Sequence, residues 1–297
     1  MIINAANITS ATRGFKASFQ RGFDAVVPMY DRIATTVPSS TLIEDYGWLG
    51  EIPGMREWIG DRMINNLSQH DYSIRNKSFE LTVGVDRDRF EDDQYGIFTP
   101  MMESLGYEAR LHPDKLVFTL LAAGFATACY DGQYFFDTDH PVLNASGVAE
   151  SVSNYQSGSG NPWFLLDTKR PLKPIIFQNR KEPQFVLMNK EDDQNVFMSK
   201  KFLYGVDCRR NVGFGFWQMA YGSKATLDAT NFEAAKAAMG AFKKDYGTPI
   251  GIVPNLLVVG PSNESAAKKV VAAETLAGGG SNTNWKAAEI LVVPWLD

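Results

Sequence analysis

The sequence predicts an α+β protein, and three observations predict it. Helical and strand periodicities occur in separate blocks; the middle third is a run of short apolar segments punctuated by Pro and Gly; and only the last quarter reads strand, helix, strand. At 297 residues the chain can bury one large core or two modest ones.

Phe15, Phe19 and Phe23 recur at helical spacing before Pro28 and the stretch Thr35 to Ser40 stop any helix. This reads as an N-terminal arm whose rings need a neighbour to cover them; the alternative is an amphipathic first helix packed on its own core. From Tyr46 the composition changes. Trp48, Ile52, Pro53, Met55, Trp58 and Ile59 lead into strand-like runs at Tyr72-Ser73-Ile74 and Phe79 to Val85, with Asn76-Lys77 as the turn between them. A two-stranded ribbon of this kind is marginal alone and must lie on the rest of the chain or on another copy.

The run Asp86, Asp88, Glu91, Asp92 and Asp93 then opens a helix through Ile97, Met101, Met102, Leu105 and Tyr107, which Pro100 should kink or interrupt. A second apolar helix is expected from about Lys115 to Ala128, beyond His112-Pro113-Asp114. The segment from Asn144 to Gly160 reads as a mobile surface loop. Short strands are expected at Trp163 to Leu166, Pro174 to Gln178, Phe185 to Leu187, Phe202 to Val206 and Gly213 to Trp217. In the last quarter, Thr230 and Glu233 form a capping box for a helix with Ala235, Met239, Phe242 and Tyr246 on one face, ended by Gly247. A strand at Leu256 to Val259, a helix capped by Ser262 and closed by Gly278, and a strand at Ile290 to Val293 follow.

Composition excludes several classes. Hydrophobic residues are 44% and charged residues 21%, which fits neither a disordered tail nor a membrane protein. Net charge is −5 and the basic residues come in pairs at most, so no stripe exists for tight nucleic-acid binding. Cys129 and Cys208 are far apart and read as buried thiols of a protein made in a reducing compartment. Neither a signal peptide nor a spanning helix is indicated.

Candidate chemistry is sparse. The acidic run could hold a divalent cation, but helix-start electrostatics explains it more simply, because Glu91 and Ile97 stand where an EF-hand needs Gly and Glu. Asp137-Thr138-Asp139-His140-Pro141 offers a His between acids; with no second His nearby it reads as a turn held by Asp side chains. Gly260-Pro261-Ser262-Asn263-Glu264 links a strand to a helix, yet lacks both phosphate-loop spacings. No catalytic residue, metal ligand or cofactor is expected.

Several blocks, taken in order over nearly the whole chain, resemble the major head subunit family of Mu-like phages, the gene product T type. They are Tyr46-Gly47-Trp48-Leu49-Gly50 with Glu57-Trp58-Ile59-Gly60, Tyr72-Ser73-Ile74 with Asn76 to Glu80, and Phe90 to Asp93 with Gly96-Ile97. Tyr130-Asp131-Gly132-Gln133, Phe135-Phe136-Asp137 and His140-Pro141, Lys173-Pro174 with Phe177-Gln178, and Gly213 to Ala220 continue the set.

The resemblance implies the tailed-phage major capsid fold of the Hong Kong 97 type. Residues 1–45 would be the N-terminal arm, 46–86 the extended loop, 87–220 the peripheral domain with its spine helix, and 221–297 the axial domain. It implies self-assembly into hexamers and pentamers of an icosahedral head around double-stranded DNA, with scaffold, portal and decoration proteins as further partners, no membrane and no cofactor. The subunit interface would use Phe15, Phe19, Phe23, Trp48, Trp58, Ile74, Lys77 and Phe79. Lys77, placed at the ribbon tip, invites comparison with the Lys–Asn isopeptide bond of some relatives of the fold; no site glutamate can be matched, so no cross-link is expected. The competing readings are an α/β nucleotide-binding protein or enzyme built on the C-terminal unit, and a minor head or decoration protein.

Overall fold

The computed structural model describes residues 5–49, 72–92, 95–276 and 278–297. The chain begins with α1 (Ala5–Asp24), β1 (Ala34–Pro38), β2 (Ile43–Asp45), β3 (Ser73–Arg75), β4 (Lys77–Asp86), α2 (Arg87–Glu91) and α3 (Tyr95–Ala123). Its middle holds β5 (His140–Leu143), β6 (Ala149–Val152), β7 (Tyr155–Gln156), β8 (Trp163–Leu166), β9 (Ile175–Met188), α4 (Gln194–Ser199) and β10 (Lys201–Phe214). It ends with β11 (Ala220–Ser223), α5 (Ala229–Gly240), β12 (Leu256–Val259), α6 (Glu264–Ala267) and β13 (Glu289–Val292).

Helix α3 joins two hydrophobic cores. Its N-terminal half sends Phe98, Met102, Leu105 and Ala109 into a core shared with Ile8, Phe15 and Phe19 of α1 and with Phe202, Tyr204 and Val206 of β10. Its C-terminal half sends Val117, Phe118 and Leu121 into a larger core under the second sheet. The expected break does not occur: a single 29-residue helix, roughly 43 Å long at the standard rise, carries both Pro100 and Pro113. An interior proline costs about 3 kcal/mol or more. Burial of several large side chains on each side of the prolines exceeds that cost, because each contributes about 1.5–3 kcal/mol.

The first helix lies on this spine at very close range. A Cβ added to Gly22 would sit 1.9 Å from the Glu103 carbonyl oxygen, and one added to Gly106 would sit 2.0 Å from that of Phe19. Each glycine therefore admits the other helix's backbone. Gly106→Ala should improve helix propensity by about 1 kcal/mol yet force the helices apart, so we expect a net loss of about 1–3 kcal/mol. Urea denaturation checks it, and an unchanged midpoint would show that the crossing is loose.

The four-stranded sheet runs β1-β9-β10-β4. The expected hairpin turning at Asn76-Lys77 is not formed. β3 pairs with β2, Ile43 opposite Arg75, while β4 pairs antiparallel with β10 from Lys77 opposite Arg210 to Asp86 opposite Lys201. A ten-residue ladder to β10 satisfies more backbone groups than a three-residue hairpin could. Asn76 is instead a buried corner whose amide donates to Ser39 Oγ and the Thr41 carbonyl. Beside it, Glu44 accepts from Ser39 Oγ and the Ser40 and Thr41 N–H groups.

Strands expected separately also merge. β9 and β10 are each 14 residues long and form one hairpin, with the register shifting between Asp207 and Arg209, opposite the Pro183 segment. A bulge is where a ladder tolerates proline.

The second sheet has the order β13-β12-β8-β11-β7. Its central β8, Trp163 to Leu166, is fully buried, as the unbroken apolar run requires. β12 and β13 are parallel, and α6 lies between them in sequence, which gives the expected strand-helix-strand unit. Because β7 and β8 belong to this sheet, a boundary at residue 220 cuts through it. The loop expected at 144–160 contains β6, paired with β5, and β7.

Other helix ends move. Asp228, not Thr230, caps α5 by accepting from the Asn231 N–H, while Glu233 is taken by the Asn284 amide. α5 ends at Gly240, and Tyr246 is exposed. The helix after β12 gives way to a π-helical turn that ends at Ala272, well before Gly278.

Candidate assembly surface

The β9–β10 hairpin is flanked along β10 by β4 as far as Lys201, but its other side is covered only in part. β1 covers β9 only from Ile175 to Asn179, so among the described residues its distal part is a sheet edge. At the tip Val186, Leu187 and Met188 are all exposed, although successive strand residues face opposite sides. Next to them α4 exposes Phe197 at 82% and Met198 at 71%, while its Val196 is buried in the smaller core. Exposed apolar side chains thus gather at this end of the hairpin, and an exposed apolar patch is a candidate contact surface. A second exposed apolar strip comprises Ile97 and Met101 of α3 with Leu81 of β4.

The residues singled out from sequence divide into two groups. Phe15, Phe19 and Ile74 are buried by the chain itself: Phe15 packs edge-on to Tyr204 at 5.1 Å, and Phe19 meets Phe185 at 5.3 Å. The two rings need no neighbour, which corrects the arm reading for them and leaves the alternative, a first helix packed on its own core. The others are more accessible. Trp48 is 38% exposed, Phe23 is half-buried beneath the Arg110 guanidinium, and Phe79 is half-buried against His112. Lys77 is exposed at the start of β4, beside β10, and not at a ribbon tip. Trp58, with Ile52, Pro53, Met55 and Ile59, lies outside the described residues. The hairpin tip was missed in sequence, since Val196-Phe197-Met198 is a short run between Glu191-Asp192-Asp193 and Lys200-Lys201 and has no periodicity.

The acidic run works as helix-start electrostatics: Asp86 caps α2, accepting from the Asp88 and Arg89 N–H groups. Sequence also understated His140. It is fully buried, its Nδ1 lies 2.7 Å from Asp131 Oδ2, and its ring stacks on Trp217 at 4.0 Å. Nε2 lies 3.2 Å from Asn154 Oδ1, whose orientation is set by the Asp137 N–H it accepts and by the amide's bond to the Phe135 carbonyl. Both ring nitrogens thus lie within hydrogen-bond distance of a side-chain oxygen.

Burial pushes the Asp131 carboxyl up, but the hydrogen bond and charge of His140, with bonds from Cys129 and the Gln133 N–H, outweigh it and leave the group below its ordinary value. The donor atoms of Cys129, Asp131 and His140 all lie within 4.8 Å of one another. Both carboxylate oxygens and both ring nitrogens already have hydrogen-bonded partners, and burial and the Asp131 charge push the thiol well above its ordinary value, away from the thiolate a metal needs. The cluster reads as an internal lock on the loop that inserts Phe135 and Phe136 into the larger core.

The phosphate-loop reading loses its anion position. Ser262 donates its N–H and its hydroxyl to the Asp297 carboxylate, both at 2.7 Å, at the start of the helix that follows β12. Glu44 offers a pH reporter at the base of the β2–β3 pair: the Thr41 N–H, the Ser39 hydroxyl and the Ser40 N–H hold its carboxyl at about 2. A depressed carboxylate stabilises the fold above its unfolded value near 4.5, and that contribution is lost as pH falls towards 2. A carboxyl carbon-13 titration should therefore place the Glu44 midpoint well below those of the other glutamates; a midpoint near 4.5 would show that the turn is open.

The long helix bridging two cores, the long hairpin and the strand-helix-strand layer have a match among solved structures. The chain superimposes on the procapsid of bacteriophage JBD30 with a TM-score of 0.87 and 47% identity, covering 99% of this chain and all of that one. It also matches the JBD30 capsid decorated with minor capsid protein trimers, with a TM-score of 0.78, 35% identity and 91% of each chain covered. The fold is that of tailed-phage major capsid proteins. The chain belongs to the family described as Mu-like prophage major head subunit gpT, which matches residues 8–296. It is also 41% identical to the major capsid protein of Escherichia phage Mu over 96% of this chain and 95% of that protein.

Proposed function

We propose that this chain builds the icosahedral head of a Mu-like phage, assembling as hexamers and pentamers around double-stranded DNA and catalysing no reaction. The supporting observation is the apolar hairpin tip, exposed beside a core that buries Val196 of the same turn. Sister copies covering that tip, Trp48 and the strip of Ile97, Met101 and Leu81 would remove this surface from water. In this reading α3 is the spine of the peripheral domain, which also holds α1 and the β9–β10 hairpin. The segment through β2 and β3 is the stem of the extended loop. The axial domain is the five-stranded sheet with α5 and α6, including β7 and β8.

Assembly would take place in the host cytoplasm, with scaffold and portal proteins as further partners. Decoration proteins suit the same reading, because the decorated JBD30 capsid is built from a similar chain. The acidic balance, −5 overall, favours non-specific contact with packaged DNA over tight binding. Electron microscopy of the expressed protein tests the proposal: closed shells or hexamers are expected, and discrete small oligomers at all concentrations would overturn it.

A further inference from the structure

Arg210 lies in the middle of the four-stranded sheet and is only 2% exposed. Its Nε donates to Cys208 Sγ at 3.0 Å, and its guanidinium carbon lies 6.0 Å from the centre of the Phe177 ring. Nη2 has no hydrogen-bond partner, and among the described residues no carboxylate forms an ion pair with it. A buried guanidinium without an anion is one of the costlier arrangements in a protein. Arg210 lines a cavity of about 190 Å³ between β4, β10 and α3, together with Phe79, His112, Lys115 and Glu108. His112 Nδ1, on the same cavity, is also buried without a partner.

We propose that this cavity is a receptor for one carboxylate side chain, Asp or Glu, presented by a second copy of this chain. A guanidinium offers a fork of N–H donors that matches a planar carboxylate, and His112 can add a further donor beside it. The space holds a carboxylate group, whereas a phosphodiester backbone would bring more charge past Glu80 and Glu108 on the same wall. The cavity shares Leu81 and Glu108 with a neighbouring groove that reaches Met101, and Leu81 and Met101 are exposed. An apolar margin around a buried cation suits a protein partner better than a free ion. In a shell built from this chain, the partner that every subunit meets is another copy, so we take a second copy as the occupant, and the inference rests on the shell-building reading.

His112 reports occupancy. Burial, and then the charges of Arg210 and Lys115, lower it to about 4 in the isolated subunit, and a carboxylate alongside would raise it.

The test is a density map, at side-chain detail, of shells assembled from the full-length chain. The expected result is a carboxylate of a neighbouring copy within roughly 4 Å of the Arg210 guanidinium. Water, an isolated ion or an empty cavity in a well-formed shell overturns this inference alone, while failure to form any shell overturns the shell reading and this one with it. Arg210→Met supplies a second readout. It should leave the melting temperature of the isolated subunit unchanged or higher, since it removes an unpaired buried cation, yet raise the concentration needed for assembly at least about tenfold. Assembly at the wild-type concentration would overturn the inference, and if the variant does not fold, the wild-type map decides alone.

Discussion

Replacing Phe197 and Met198 together by Asp should abolish closed particles while leaving the subunit folded. Both side chains are the most exposed apolar groups of α4, so the isolated chain loses little when they become charged. In an assembly each would bury surface worth about 1.5–3 kcal/mol per copy. If copies repeat the same contact around the proposed hexamer, a loss of this size multiplies with each one. Placing carboxylates in a desolvated contact adds a further penalty. Sedimentation velocity separates the outcomes: a soluble, folded subunit that no longer forms particles is expected. Particles at the wild-type yield would show that the hairpin tip faces solvent in the head.

The second large effect is internal. Asp131→Ala leaves His140 buried without its carboxylate and the Gln133 N–H without its acceptor. Leaving buried groups without their hydrogen-bond partner typically costs about 1–3 kcal/mol each, which for a domain of this size lowers Tm by roughly 5 °C or more. The loop carrying Phe135 and Phe136 should loosen first, since Phe135 stacks on Phe214 at 4.2 Å and Phe136 lies 5.3 Å from Phe164. Calorimetry with tryptophan fluorescence checks this, because Trp217 stacks on the same imidazole. A Tm within a degree or two of wild type would mean that the pair contributes little.

Elements whose signal is local were legible in the sequence. The helical spacing of Phe15, Phe19 and Phe23, the unbroken apolar runs at Trp163 to Leu166 and Leu256 to Val259, and the acidic start of α2 all formed as their patterns dictate. The family blocks were equally legible, and they pointed to the head subunit. These features depend on periodicity and on capping, which act over one or two turns of chain.

The partners of each element were not legible. Proline argued for breaks in α3 and β9, yet both run on, because burial along the spine and a bulge in the sheet outweigh a local penalty. Asn76-Lys77 has the composition of a turn but serves as a corner, since β10, more than a hundred residues later, offers β4 the longer ladder. His140, Asp131 and Asn154 meet only through folding, as do Arg210 and His112. By itself the sequence determined which segments are helical or extended and to which family the chain belongs. The tertiary structure alone decided which apolar side chains its own cores absorb and which are left for neighbours, because burial depends on contacts between residues distant in the chain.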